Sequence, residues 1–316
     1  MIKIPETYKN NIINMFGEPG EKWLNIVPNI VDKYVKKFNL KNIQILNDLT
    51  FNIIIFAECD SFGKVVFKVS LPNNELLIRE TNALNKFNGF GACKCFYSNI
   101  DDGIIIIERL EPGKTLHEVE YREDRIKEFC KVAKSLNNSL NEHIDLPSYR
   151  QILNRSIDAS NQYPEKYQIL KHYIEEADNL YQEIESMKLP IYLLHADLHH
   201  NNILSSGTQR KAIDPHGFIG ERVMETARFL ENEIVKNEIN EESVLETIKM
   251  MSNSYEEDEE LICKSLFIDY TLSTCWDIEV NTNKEHIIND INNLNIIKNV
   301  LKRIKSKTKS LTKNLI

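Results

Sequence analysis

No apolar run in this sequence approaches the ~20 residues that a membrane-spanning helix needs. The longest, FNIIIFA (51–57) and GIIIIERL (103–110), have the length of strands. The opening MIKIPETYKN holds no apolar signal core, so nothing in it points to export. The six cysteines, at 59, 93, 95, 130, 263 and 275, form no Cys-x-x-Cys pair. A zinc ribbon or thioredoxin-like centre is therefore unsupported. Scattered thiols fit reduced, buried side chains, and a cytoplasmic location is the expectation. Basic charge is not in excess either. A net charge of −8 argues against a general nucleic-acid binder and suits a cationic or small-molecule partner. Neither a nucleic acid nor a membrane is expected as partner, and the oligomeric state stays open.

What is present has a clear order. Residues 20–38, GEKWLNIVPNIVDKYVKKF, place Trp23, Val27, Ile30, Val31, Tyr34 and Phe38 on one helical face, behind a turn at EPG. IQILND, FNIIIFAEC and KVVFKVS read as strands, the last two joined around DSFG. NNELLIRETNALNKFNGFG reads as a helix with Asn near its start and Gly at its end. CKCFYSN and GIIIIERL read as two more strands. Residues 40–110 thus predict a small antiparallel sheet interrupted by one helix after its third strand. EPGKTL marks the boundary between a lobe at 1–110, which includes an N-terminal helix pair, and a helical lobe at 111–316. In the second lobe helices are expected at 121–141, 150–187 and from GERV to the end, with one small hairpin among them. YEEDEELICKSL (255–266) sets five acids ahead of an apolar run, as suits a helix N-terminus. The basic tract LKRIKSKTKSLTK (301–313) reads as a solvated helix end.

The stretch YLLHADLHHNNIL (192–204) concentrates three histidines, an aspartate and two asparagines between apolar ends. Two chemistries suit it. Asp197, followed five residues later by Asn202 and then by Asp214, has the spacing of a kinase-type loop. There an aspartate meets the acceptor hydroxyl, while an amide and a second carboxylate hold Mg2+ against the phosphates of ATP. Alternatively His195, Asp197, His199 and His200 could bind zinc or a metal pair in a hydrolase. A polar surface loop is the third reading. Distant residues favour the kinase. Lys68 lies inside the apolar strand VVFKVS, where a buried ammonium needs a partner. Glu80 on the following helix can supply it, with Glu75 as a competitor. IIIIERLEPGKTL then runs from a strand into Glu108, Arg109 and Leu110, the position of a hinge whose backbone meets adenine.

This order resembles the aminoglycoside phosphotransferases, and within them the aminoglycoside/hydroxyurea resistance kinases of the streptomycin 6-phosphotransferase branch. The resemblance rests on GEKWLNIVPNIVDKY, VVFKVS, RETNALNKFNGFGACK, IIIIERLEPGKTL, LLHADLHHNNIL and AIDPHGFIGER. It implies an α+β, protein-kinase-like, two-lobed fold and phosphoryl transfer from ATP to a hydroxyl of an antibiotic. It implies that Asp197 is the catalytic base and that Asn202 and Asp214 hold Mg2+. Lys68, fixed by Glu80, touches the nucleotide phosphates, and His195 braces the loop. Glu108 and Leu110 are the hinge contacts. For a polycationic acceptor the candidates are His199, Glu225 and Glu231, with Glu233, Asp269 and Asp277 behind them and Trp276 as a stacking surface. Three departures stand out: Ala196 replaces the usual glycine, no glycine-rich loop appears around Thr50, Phe51 and Asn52, and Glu225 stands near the place of a family aspartate. The alternatives are a kinase for another small alcohol, a nucleotide-binding pseudokinase, and the metal-dependent hydrolase.

Overall fold

The structure is a computed structural model that describes residues 4–46, 52–136, 144–235 and 239–313. Thr50 and Phe51, and the last residues of the helix expected at 121–141, lie outside the described residues. The chain forms two compact units. One comprises Met1–Gly113 with Ser205–Ile213, and the other Lys114–Leu204 with Asp214–Ile316.

The first unit begins with α1 (Glu6–Lys37), which is broken into two at Gly17 (φ 59°, ψ −138°), while the EPG expected as a turn is helical. A five-stranded sheet follows, built from β1 (Lys41–Ile45), β2 (Ile53–Cys59), β3 (Gly63–Val69), β4 (Cys95–Asn99) and β5 (Ile104–Glu108). Every pairing is antiparallel, in the order β1-β2-β3-β5-β4. The helix α2 (Glu75–Phe87) connects β3 to β4. The Asn74 side chain accepts from the Leu76 amide at 2.8 Å to start it. Asn88, in the left-handed region at φ 48°, ends it. Strand alternation places Ile53, Ile55, Ala57, Val65, Phe67 and Val69 on one face, against Trp23, Val27, Val31 and Tyr34 of α1. Burying each large apolar side chain contributes about 1.5–3 kcal/mol. Lys68 therefore points to the opposite face, toward α2.

The second unit is mainly helical. After β6 (Pro112–Thr115), which leads across the boundary, come α3 (Arg122–Leu136), α4 (Tyr149–Gln162), α5 (Pro164–Tyr167) and α6 (Lys171–Ser186). The single helix expected at 150–187 is thus three. Pro164 lacks the amide that would continue α4 and instead opens a new turn. β7 (Ile191–Leu194), the hairpin β8 (Ile203–Ser206) and β9 (Gln209–Ala212), and β10 (Phe218–Glu221) follow. Residues 213–217 form a loop between β9 and β10, and β10 pairs antiparallel with β7. The chain ends in α7 (Glu225–Val235), α8 (Glu241–Tyr255), α9 (Glu259–Glu279) and α10 (Lys284–Lys313). Asp258 caps α9, and Glu259 and Glu260 occupy its first turn, as the acidic run predicted. Packed between α6, α7, α8 and α10, α9 is buried nearly all round. Among the described residues no helix is long and apolar enough to cross a membrane.

Gly103, in the turn between β4 and β5, has φ +72°, and its carbonyl accepts from the Ser70 amide at 2.8 Å. A Cβ there would lie 2.1 Å from the Ser70 carbonyl oxygen. Gly103→Ala is expected to cost at least about 2 kcal/mol in urea unfolding, combining left-handed strain with a backbone clash. A loss below 0.5 kcal/mol, roughly that of an ordinary surface change, would show that the turn is not held as described.

Candidate active site

Pairing of Leu194 with Phe218 brings together the loop that leaves β7 and the turn that enters β10. The His195 carbonyl accepts from the His216 amide at 2.9 Å and the Gly217 amide at 3.2 Å. The His195 ring is fully buried, and its Nδ1 accepts from the Asp197 amide at 3.3 Å. Ala196 sits in the left-handed region at φ 62°. That conformation costs an L-residue about 1–2 kcal/mol and explains why glycine suits the position. The His195 and Ala196 amides both donate to the carboxylate of Glu225, at 2.7 and 3.1 Å. Glu225 opens α7 and is only 2% exposed.

These restraints fix Asp197, whose side chain is 20% exposed. Asn202 Nδ2 donates to Asp197 Oδ2 at 3.0 Å and to the Asp197 carbonyl at 2.9 Å. His199 Nε2 and His216 Nε2 each lie 3.6 Å from Oδ2, and Arg228 Nε lies 3.7 Å from Oδ1. Burial pushes the Asp197 carboxyl upward, but the His199 hydrogen bond and the charges of His216 and Arg228 outweigh it. The result is a pKa of about 2. Asp197 is thus a carboxylate across the working pH range, placed to accept a hydrogen bond from a hydroxyl. Asp214, two residues beyond β9 and half-buried, adopts φ 56°.

The other loop histidines have different surroundings. His200 is fully buried, stacked between His117 at 4.8 Å and Phe229 at 4.6 Å. Its Nε2 lies 2.7 Å from Glu233, which also takes Arg125 Nε at 2.8 Å. Burial works to raise the Glu233 carboxyl, yet Arg125 and His200 hold it at about 2. This network pins the loop to α3 and α7. His199 Nδ1 accepts from the Asn201 amide, leaving Nε2 toward Asp197. Among the described residues, the ligand atoms of His195, Asp197, His199 and His200 do not gather into a metal-sized cluster.

In the first unit, Lys68 Nζ lies 2.7 Å from Glu80 Oε2, with Lys68 4% exposed. Glu75 is solvent-facing and lies near Arg79 instead. The Glu108 amide donates to the Lys94 carbonyl at 2.8 Å, and its carboxylate accepts from Lys211 at 2.8 Å. Among the described residues, none hydrogen-bonds to the backbone of Leu110.

The acids offered for a cationic acceptor need correction. Glu225 spends its carboxylate on loop amides and does not present it to solvent. Glu233 is committed to Arg125 and His200. Glu231 takes Arg228 at 2.9 Å and Ser273 at 2.9 Å. Asp269 takes Tyr149 at 3.0 Å and stands 3.4 Å from Arg228. Arg228, whose guanidinium also lies over Trp276, therefore links Asp197, Glu231 and Asp269. Sequence reading gave no role to Arg228 or to His216, although both lie beside motifs it singled out. The sole signal for Arg228 was a charge inside the otherwise apolar ARFL.

Burial raises the Glu225 carboxyl from 4.5 to about 7 against the pull of the two amides. The folded state then holds a proton that the unfolded state releases. The stabilisation is full below pH 4.5 and is lost as pH rises through about 7. Glu225→Gln cannot titrate. The melting-temperature advantage of the wild type over this variant should therefore shrink from pH 4.5 to pH 7. A constant difference would remove Glu225 from that role.

A sequence model of the aminoglycoside/hydroxyurea antibiotic resistance kinases matches residues 64–281. Streptomycin 6-kinase of Streptomyces glaucescens is 23% identical over 120 residues, which is 38% of this chain and 39% of that enzyme. The chain thus spans about two-fifths of the length of that curated relative. Among solved structures, an amicoumacin kinase in complex with AMP-PNP, Ca2+ and Ami superposes with a TM-score of 0.63 at 13% identity, covering 89% of this chain and 93% of that one. An ethanolamine kinase of Plasmodium vivax gives 0.61 at 17% identity, over 84% and 86%. At such identities the structural likeness establishes the fold, which is the expected α+β kinase-like one.

Proposed function

The chain belongs to the aminoglycoside/hydroxyurea antibiotic resistance kinase family, and from that premise we propose that it transfers the γ-phosphoryl group of ATP to a hydroxyl of a small cationic acceptor of the streptomycin type. The observation that carries this reading is the ionised Asp197, fixed beside Asn202 in a loop anchored by Glu225. Asp197 accepts the hydrogen bond of the acceptor hydroxyl and aims its oxygen. It receives the proton as the new O–P bond forms and the bond to ADP breaks. With a pKa of about 2 it is a weak base, so orientation is its larger contribution.

Lys68, kept in place by Glu80, binds the nucleotide phosphates, and the backbone at Leu110 takes the adenine edge. The amide oxygen of Asn202 and the carboxylate of Asp214 are hard donors of the kind that Mg2+ selects. Those two residues would hold the ion. Bound magnesium supplies charge neutralisation on the phosphates. His199 is the side chain offered to the acceptor, and Glu225 and Glu231, whose carboxylates are already engaged, are withdrawn from that set. A second reading, a kinase for another small alcohol, draws on Arg228. This internal cation already neutralises the acids that a polycation would use.

The deciding experiment is a phosphoryl-transfer panel with ATP and GTP against streptomycin, other aminoglycosides, choline, ethanolamine and neutral sugars, with products identified by NMR. Streptomycin-type acceptors are expected to lead. Transfer confined to choline, ethanolamine or a neutral sugar would support the second reading and overturn the first. Asp197→Asn should lower turnover by roughly 10²–10⁴-fold while nucleotide affinity stays within a few-fold. Asp214→Asn should weaken magnesium-nucleotide binding as well. Near-normal turnover in Asp197→Asn would refute the loop assignment.

The Lys68–Glu80 pair has its own test. Lys68→Met and Glu80→Gln should each raise the KM for ATP and lower kcat. Their effects should fall far short of additive, because the two side chains act as one unit. Additive losses would separate Glu80 from the function of Lys68.

A further inference from the structure

The phosphoryl chemistry makes no use of a cluster where α9 ends and α10 begins. His286 and Asp290 lie one turn apart on the same face of α10, and Asp277 lies in the last turns of α9. His286 Nε2 is 3.5 Å from Asp277 Oδ2 and 3.6 Å from Asp290 Oδ2. All three atoms lie within 4.8 Å of one another. Each carboxylate is oriented by a hydroxyl on its other oxygen. Thr282 Oγ1 donates to Asp277 Oδ1 at 3.2 Å, and Tyr270 donates to Asp290 Oδ1 at 3.1 Å. Asn293 in turn donates to the Tyr270 hydroxyl at 2.8 Å.

A second observation separates this cluster from ordinary surface acids. Asp290 is 7% exposed, and its Oδ2 is buried with no hydrogen-bond donor among the described residues. A buried carboxylate oxygen without a donor is costly unless a cation meets it. The two edges at His286, 3.5 and 3.6 Å, are close to the ~3.3–3.4 Å that bonds of about 2.0–2.1 Å impose on a tetrahedron, and the third edge lies within 4.8 Å. One imidazole with two carboxylates is a donor set for a borderline cation rather than for magnesium. The hydroxyls behind the carboxylates act as orienting partners of first-layer ligands do.

We propose that Asp277, His286 and Asp290 form a binding site for a divalent cation of the zinc class, with water completing the coordination on the exposed side of His286. The bound ion would clasp the end of α9 to the start of α10. The competing arrangement is a protonated His286 bridging two acids, which binds no metal.

The full-length protein, dialysed against chelator and then freed of it, is titrated with zinc chloride by calorimetry in excess magnesium. One equivalent should bind. His286→Ala and Asp290→Asn should each weaken binding by at least about 100-fold, the upper end of what loss of even a supporting partner does. His199→Ala and Asp197→Asn should leave it unchanged. Cobalt(II) should give visible bands of a four-coordinate N/O site that vanish in His286→Ala. Because His286 is 55% exposed, that variant should fold, and a thermal melt without metal checks it. Zinc should raise the melting temperature of the wild type but not of His286→Ala. The proposal fails if no zinc binds, if binding survives His286→Ala, or if it is lost in His199→Ala. It also fails if streptomycin rather than zinc binds and His286→Ala weakens the drug, since the cluster would then serve the acceptor. Phosphoryl transfer is read separately by product formation, so neither failure masks the other.

Discussion

The amides of His195 and Ala196 must point the same way for Asp197 to reach its neighbours, and the buried Glu225 carboxylate holds them so. An alanine in a left-handed conformation is tolerated there because the interactions around it over-determine the turn. The β7–β10 pairing, the His195 carbonyl and the His200–Glu233–Arg125 network add further restraints to the same few residues. The loop is therefore held by buried polar bonds in a unit whose remaining interior is largely apolar. Such bonds are directional, and they fix a geometry that hydrophobic packing alone leaves loose.

Charge around Asp197 follows a related logic. The half-buried carboxylate stays ionised because two histidines and an arginine face it. The arginine side chain is itself only 11% exposed, and two more acids balance it. Within such a group, loss of one member leaves another charge uncompensated in a poorly solvated place. The same arrangement limits what the site offers to a cationic solute, since Glu231 and Asp269 already have a partner.

Much of the fold was legible in local pattern. The strand-length apolar runs FNIIIFA and KVVFKVS broken by DSFG, and the Asn and Gly that bound NNELLIRETNALNKFNGFG, were enough to draw the five-stranded sheet and its one helix. The Lys68–Glu80 pair was legible for an energetic reason, since an ammonium in an apolar strand demands a carboxylate nearby. The break at Pro164 has a local signal, since proline lacks the amide that would continue the helix. The role of Glu225 was not legible. Its nearness to Asp214 in sequence suggested an acceptor group, whereas the direction of a first-turn carboxylate is set by what α7 packs against. Arg228 could not be read either, because its partners at 197 and 269 become neighbours only when α7 and α9 pack. Nor does any local pattern report that 205–213 belongs with the first unit.

That last segment has a topological consequence. The 91–93 backbone binds it through the Cys93 amide to the Ala212 carbonyl and the Ala212 amide to the Gly91 carbonyl. The first unit is therefore assembled from two separate lengths of chain, and so is the second. No single cut yields either one whole: a fragment that stops at 113 lacks the stitch, and one that starts at 114 carries it away from its partners. The two units cannot be exchanged between relatives as simple cassettes. Recombination that preserves both must take three junctions together, and two of them fall just outside Asn202 and just before Asp214.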